Sequence, residues 1–314
     1  MRAYVMDEFG GAGTVRDVPD PTPAEGQVRV RIEGAGVNPA DSMMVQGAYR
    51  DFLPTTFPLV PGNDLAGVVD AVAPGTQAWA VGDRVFGQQG KRLVGEGTFA
   101  EYTNASVASI AARPEGIEPV FAAALPLVGV SALQVVEAVS PQAADVVVVI
   151  GASGGIGSIV LQLLRAVGAV AVGIARAGNH AYARDLGASE TIDYQTQDVA
   201  EAVRSAHPDG IAALVDLARD RGLTGRLAAL VGEGGRVVSM VGSADADALG
   251  ARGIEGVNIQ TRVTTERLEE LVRLVAAGTI RRPEITTFGL TDAGRALEEV
   301  ASNHVRGKLV VLPR

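Results

Sequence analysis

The sequence predicts an α/β protein of two domains, one rich in β-strands and one built as a doubly wound parallel sheet with helices on its faces. The 314 residues exceed what most single compact cores hold, and 47% hydrophobic residues can fill two. Up to about residue 118, short alternating segments broken by Gly and Pro prevail, among them "QVRVRIEGAGV", "DLAGVVDAVAPG", "GDRVFG" and "GTFAEYTNA". From about residue 120, apolar strands alternate with helical segments, which is the signature of a parallel sheet.

The elements follow in order. Val28, Val30 and Ile32 alternate with Arg29, Arg31 and Glu33, so this run reads as a half-buried strand, and the Asn38-Pro39 pair after it reads as a turn. "DVVVVI" (145–150) is a continuous β-branched run suited to a strand buried on both faces. After the "GASGGIG" turn, Ile159, Val160, Leu163, Leu164 and Val167 supply a helix's apolar face, and Gly168 stops the helix. "VAVGIA" (170–175) is the next strand, followed by "AALVDLA" (212–218), "RVVSMVG" (236–242) and "GVNI" (256–259). An amphipathic helix through Leu268, Leu271, Val272 and Val275 ends at Gly278. A strand near 285–290, a helix near 291–302 and a last strand, "KLVVLP", complete the chain. That last part is too small to stand alone and is expected to join the first domain.

Composition excludes several functions. The net charge of -9 and a pI near 5.0 argue against nucleic acid or anionic membranes as partners. With no cysteine there is no disulfide, thiolate metal site or cysteine nucleophile, and the three histidines (His180, His207, His304) lie far apart in sequence. The uncharged stretches 119–136 and 146–164 carry Pro and Gly where a membrane span would need an unbroken helix. The N-terminus lacks a secretory pattern, so a cytoplasmic protein is expected.

"GASGGIG" stands between an expected strand and an expected helix, the context in which a glycine-rich turn cradles a dinucleotide. Ser153, Gly154, Gly155 and Ile156 would face the pyrophosphate, with the helix amides behind them, and Gly157 would let helix and strand approach. At the end of the second strand, where an NAD site usually carries an acid on the ribose, the chain reads Gly173-Ile174-Ala175-Arg176. Arg176 is therefore a candidate for the 2′-phosphate of NADPH, the alternative being a solvated arginine.

Taken together, "GVNPAD", "PGNDLAGVV", "VGDRVFG", "GTFAEY", "AAALPLVGVSA", "VVVVIGASGGIGSIVLQLLRAVGA", "GASETIDY", "GEGGRVVSMVG" and "RGKLVVL" occur in an order that resembles the zinc-independent medium-chain dehydrogenase/reductases of the NADPH:quinone oxidoreductase, zeta-crystallin-like family. The resemblance implies a GroES-like β-barrel catalytic domain, residues 1–120 completed by 265–314, around a Rossmann NADPH-binding domain, residues 121–264, with the active site in the cleft and a homodimer as the assembly. It places Asn38 where zinc-containing relatives keep a cysteine, and Gly62-Asn63-Asp64 where they keep Gly-His-Glu, so no metal is expected. It sets Ser131 beside the nicotinamide and Tyr194 near the 2′-phosphate with Arg176. Leu217, Val241 and Gly242 would line the adenine and nicotinamide ribose, and Lys308 would lie near the cofactor phosphate or the nicotinamide. For Ser131 a helix cap or packing role is the alternative, for Tyr194 a structural one, and for Lys308 a charge opening the last strand.

The implied reaction is hydride transfer from NADPH to a quinone or other conjugated carbonyl, with Asn38 and Tyr49 as donors to the acceptor oxygen and Asp41 holding ribose, water or a neighbour. Asp41 could equally cap its own turn. Met43 and Val45 replace the tyrosine and arginine common in relatives, which makes the substrate end less polar. An enoyl reductase or reductive cyclase on a larger intermediate, and a non-enzymatic crystallin-like NADPH-binding protein, are the alternatives.

Overall fold

The computed structural model describes residues 1–90, 93–218 and 220–313. The chain divides into two compact units: residues 1–130 with 263–276 and 284–314, and residues 131–262 with 277–283.

Unit 1 begins with β1 (Arg2–Val5), β2 (Thr14–Asp17), β3 (Gln27–Val37), α1 (Pro39–Val45), β4 (Thr55–Val60) and β5 (Asp64–Val72). It continues with β6 (Arg84–Gln88), β7 (Val94–Glu96), β8 (Tyr102–Ser106), β9 (Ile110–Ala112) and α2 (Pro119–Ala124). Helix α3 (Pro126–Val139) then leads into unit 2: β10 (Val146–Ile150), α4 (Gly155–Val167), β11 (Val170–Ile174), α5 (His180–Leu186), β12 (Glu190–Ile192) and α6 (Val199–Ala206). There follow β13 (Ile211–Asp216), α7 (Arg221–Ala228), β14 (Val231–Ser239), α8 (Ala246–Gly250) and β15 (Glu255–Asn258). The C-terminal elements α9 (Thr265–Ala276), β16 (Ile285–Gly289), α10 (Ala293–Ala301) and β17 (Lys308–Leu312) belong to unit 1.

In unit 1 the long strand β3 is the organiser. Its alternation is as the residues suggest, with Val28, Val30 and Ile32 fully enclosed and the intervening Arg29, Arg31 and Glu33 partly open. The sheet runs β16-β17-β3-β5-β6-β9, with β8 also on β3. Both β5 and β17 are antiparallel to β3. The end of β3 therefore meets the beginnings of β5 and β17, and residues 38, 64 and 308 converge although 270 positions separate the outer two. Helix α2 packs on β3 and β5 and belongs to unit 1. The close approach needs Gly36, whose added Cβ would lie 2.3 Å from the Ala123 carbonyl oxygen and 3.0 Å from the Asp64 Cβ. Phe86, Phe99, Ile32, Leu59, Leu65 and Ile110 are the largest side chains enclosed in its core.

Unit 2 carries six parallel strands in the order β12-β11-β10-β13-β14-β15. The chain starts at the centre with β10, moves outward through β11 and β12, and returns to β13 on the other side of β10. This reversal creates a switch point at the carboxyl ends of β10 and β13, where ligands of such sheets bind. Val147, Val148 and Val149 are wholly enclosed, as a run apolar on both faces requires. Gly168 closes α4 with φ 83°, in the left-handed region. Val167, expected on the apolar face, is 42% exposed because it is the last helical residue and the helix ends over solvent. Strand β14 starts five residues earlier than the expected Arg236, so Gly234 and Gly235 form an irregularity inside it, not a turn before it.

Candidate active site

Two groups of side chains merit description, one in each unit. In unit 1 the junction of β3, β5 and β17 encloses Asn38, Asp41, Asp64 and Lys308, none more than 3% exposed. The Lys308 ammonium donates to the Val37 carbonyl and to Asn38 Oδ1, each at 2.5 Å. Asn38 Nδ2 donates to Asp64 Oδ2 at 2.9 Å, and the Lys308 Nζ stands 3.9 Å from that same oxygen. Asp64 also accepts from Gln88 Nε2 at 2.8 Å and from the Leu127 amide at 3.3 Å. Asp41 accepts from the Asn38 amide at 2.8 Å, which caps the first turn of α1.

Electrostatics follow from burial. Removal from water pushes the Asp41 carboxyl up to about 7; the Asp64 charge adds to this, while the Asn38 amide and Lys308 oppose it. Burial also raises Asp64, against the pull of Lys308 and three hydrogen bonds, and it lowers Lys308 against the two carboxylates. The cluster brings together one amine, a carboxyl group 3.9 Å from it that is bonded to the same asparagine, and a second carboxyl pushed up to about 7.

A zinc ion does not fit this donor set. The chain has no cysteine, and no group of three His, Cys, Asp or Glu able to hold a metal occurs among the described residues. The oxygens that converge here already surround an ammonium, which would repel a divalent cation.

Several of the expected site residues are engaged within unit 1. Lys308, set near the cofactor by resemblance, is buried and already donates to two oxygens of its own unit. Asp41 is engaged as a cap, the turn role left open above. Val45, expected to leave the substrate end less polar, is 4% exposed in the core, and Met44 packs against the same core. Tyr49 is half-buried against that core. Further along the chain, Phe52 is 78% exposed and Phe57 47% exposed, the latter packed edge-on with Phe9 at 5.2 Å.

In unit 2 the glycine-rich turn lies at the switch point. An added Cβ on Gly157 would come 2.3 Å from the Gly151 oxygen, so strand and helix require glycine there. Gly154, the residue before α4, is different: its added Cβ would meet only the Gly151 oxygen at 3.5 Å. Internal packing does not demand glycine at 154, whereas an anion approaching the backbone would. Gly155 and Ile156 open α4, with their amides at its N-terminus. Ser153 Oγ accepts from Asn179 Nδ2 at 3.0 Å. Arg176 Nε donates to the Tyr194 hydroxyl at 2.8 Å, and Tyr194 is 45% exposed. Leu217, after β13, lies against Gly151, and Val241 and Gly242 follow β14, so all three stand at the carboxyl edge of the sheet. Ser131 is fully enclosed within α3, its hydroxyl bonded to that of Thr261 at 2.5 Å.

Sequence reasoning passed over Asp216, Ser239, Ser243 and Asn179. Asp216, fully buried at the end of β13, accepts from Thr224 at 2.9 Å, from the Ala218 amide at 3.0 Å and from the Ser243 hydroxyl. Ser239 Oγ accepts from the Val241 and Ser243 amides at 3.0 and 3.1 Å. These bonds hold the loops that carry Leu217 and Val241. An aspartate closing an otherwise apolar strand was the available signal.

A GroES-like β-domain and a Rossmann-like sheet with a glycine-rich first turn define a dehydrogenase/reductase. The alcohol dehydrogenase GroES-like domain family matches residues 24–115, and the zinc-binding dehydrogenase family matches residues 186–311. The chloroplast envelope quinone oxidoreductase homolog of Arabidopsis thaliana is 28% identical over 100% of this chain and 98% of its own length. The chloroplastic NADPH-dependent alkenal/one oxidoreductase of the same plant is 27% identical, covering 100% of this chain and 80% of that one. The quinone oxidoreductase of Coxiella burnetii superposes with a TM-score of 0.89 at 27% identity, over 100% of this chain and 99% of that one. The chain belongs to the medium-chain dehydrogenase/reductase family, in its quinone oxidoreductase group, and is an oxidoreductase.

Proposed function

We propose that the protein reduces a conjugated carbonyl, a quinone or an enone, with NADPH and without a metal. The observation that carries this reading is the chain Lys308–Asn38–Asp64: an amide stands at Asn38, where by resemblance zinc-containing relatives keep a cysteine, and it is bonded to an ammonium on one side and a carboxyl group on the other. Without a Lewis acid to polarise an alcohol, the favourable direction is reduction of an acceptor that is already activated.

Bound NADPH supplies the hydride, and the protein supplies position and an answer to the charge that develops on the acceptor oxygen. Ser153, Gly154, Gly155 and Ile156 receive the pyrophosphate on backbone amides, and the sheet-edge residues Leu217, Val241 and Gly242 flank the riboses. Arg176, with its Nε fixed by Tyr194, keeps its two terminal nitrogens for the 2′-phosphate, since neither has a partner among the described residues. Asn38 keeps one amide hydrogen beyond the one given to Asp64, and this is the donor offered to the acceptor oxygen. Tyr49 or water returns the proton. A second reading, a larger apolar acceptor, is favoured by the exposed Phe52 and Phe57. The assembly proposed with the first is a homodimer.

NADPH oxidation with a panel of quinones and enones tests the reaction, and Arg176→Ala tests the cofactor. The variant is expected to weaken NADPH and leave NADH nearly unchanged; equal losses for both would remove the assignment.

A further inference from the structure

Lys308 remains unexplained by cofactor binding, since its ammonium is enclosed. Its partners carry an inference further than any cavity or surface patch of the molecule does. An ammonium has donors only, and an ionised carboxylate has acceptors only. An asparagine amide set between the two can adopt just one of its two flips, with Oδ1 toward the lysine and Nδ2 toward the carboxylate. This is the arrangement seen, at 2.5 Å and 2.9 Å. The backbone of Asn38 is held as well, its amide by Asp41 and its carbonyl by the Asp41 amide at 2.9 Å. The planar Nδ2 group carries a second hydrogen, whose direction is then fixed and which has no acceptor among the described residues.

We propose that Lys308 is a positioning residue for the reduction: it locks the flip of the Asn38 amide, so that the second Nδ2 hydrogen keeps one direction as a donor to the acceptor oxygen. This rests on the reading of Asn38 as that donor. Asp64 is the other half of the lock, and Gln88, through Asp64 Oδ1, keeps the carboxylate in plane with its task. The sequence places Lys308 at the first position of β17 and Asn38 just past the end of β3, so antiparallel pairing of Leu309 with Val37 brings them together. Without Lys308 the amide would be free to turn, with its oxygen in the place of that donor in part of the population. An oxygen there repels a developing oxyanion.

A double-mutant cycle on kcat with NADPH and a quinone tests this. Asn38→Ala is expected to lower kcat about 100-fold, as loss of one oxyanion donor does. Lys308→Met is expected to lower kcat by at least about tenfold, with the KM for NADPH unchanged within about twofold, and to cost nothing further in the Asn38→Ala background. Multiplying losses in the double variant would overturn the proposal while leaving Asn38 in place as a donor. A KM for NADPH raised about tenfold or more by Lys308→Met would also overturn it, by returning Lys308 to the cofactor. Full kcat in Asn38→Ala would remove the donor reading itself, and the proposal with it. Should Lys308→Met fail to fold, Lys308→Met with Asp64→Asn removes both charges together. This pair is expected to recover the melting temperature without recovering kcat; recovery of both would make Lys308 a structural residue only.

Discussion

Arg176 and Tyr194 meet at an open sheet edge in unit 2, while Lys308, Asn38, Asp64 and Asp41 meet in unit 1 with 3% or less of each exposed to water. The same kinds of groups serve different ends in the two places. At the open edge a charge costs little to keep and stays available to a ligand, so substitution there should alter affinity and spare stability. In the enclosed cluster each charge depends on the others, so substitution should disturb the fold as well as the reaction. On the proposed reading, unit 2 recognises the cofactor and unit 1 answers the charge on the acceptor.

Asp64→Ala is the strongest way to break this contrast. It strands the Lys308 ammonium and removes the acceptor of three N–H groups, so unfolding in urea should show a loss of about 3–5 kcal/mol. Arg176→Ala should leave the urea midpoint unchanged and weaken NADPH by about 1.5–3 kcal/mol in a binding titration, the worth of hydrogen bonds to a charged group. Gly157→Ala blurs the division, because its Cβ would press on the backbone of the turn itself. A stability loss of about 1–3 kcal/mol from the forced shift, with weaker cofactor binding beside it, is expected by calorimetry and titration.

A further effect concerns pH. The folded-state pKa of Asp41 is about 7, above its ordinary 3.8, so the folded protein binds this proton more tightly than the unfolded chain does. The associated stability is present at low pH and is lost as pH rises through 7, with Asp64 and Lys308 as the charged neighbours. The slope from this group is at most about 1.4 kcal/mol per pH unit, and Asp41→Asn should remove it from a series of urea curves.

Unit 2 was the more legible in sequence because its logic is local. A β-branched run, a glycine-rich turn and an amphipathic helix follow one another within 146–168, and Arg176 lies a strand further on. What was missed there, Asp216 with Ser239 and Ser243, depends on two strand ends meeting side by side. In unit 1 the alternation of β3 was readable, but the cluster at its end was not. Nothing near Lys308 in sequence announces Asn38 or Asp64, because their meeting depends on two antiparallel pairings across the length of the chain. Resemblance placed Asn38 in the site and set Lys308 near the cofactor. It had no means of showing that the two are bonded.

We propose that this oxidoreductase works through an ammonium, an amide and a carboxylate in place of a metal. The most direct measurement is the rate of NADPH oxidation with a quinone or enone acceptor after exhaustive treatment with a strong chelator, with the metal content of the same sample determined. The full rate is expected in metal-free protein, with no gain on adding zinc. A rate lost on chelation and restored by zinc would contradict it.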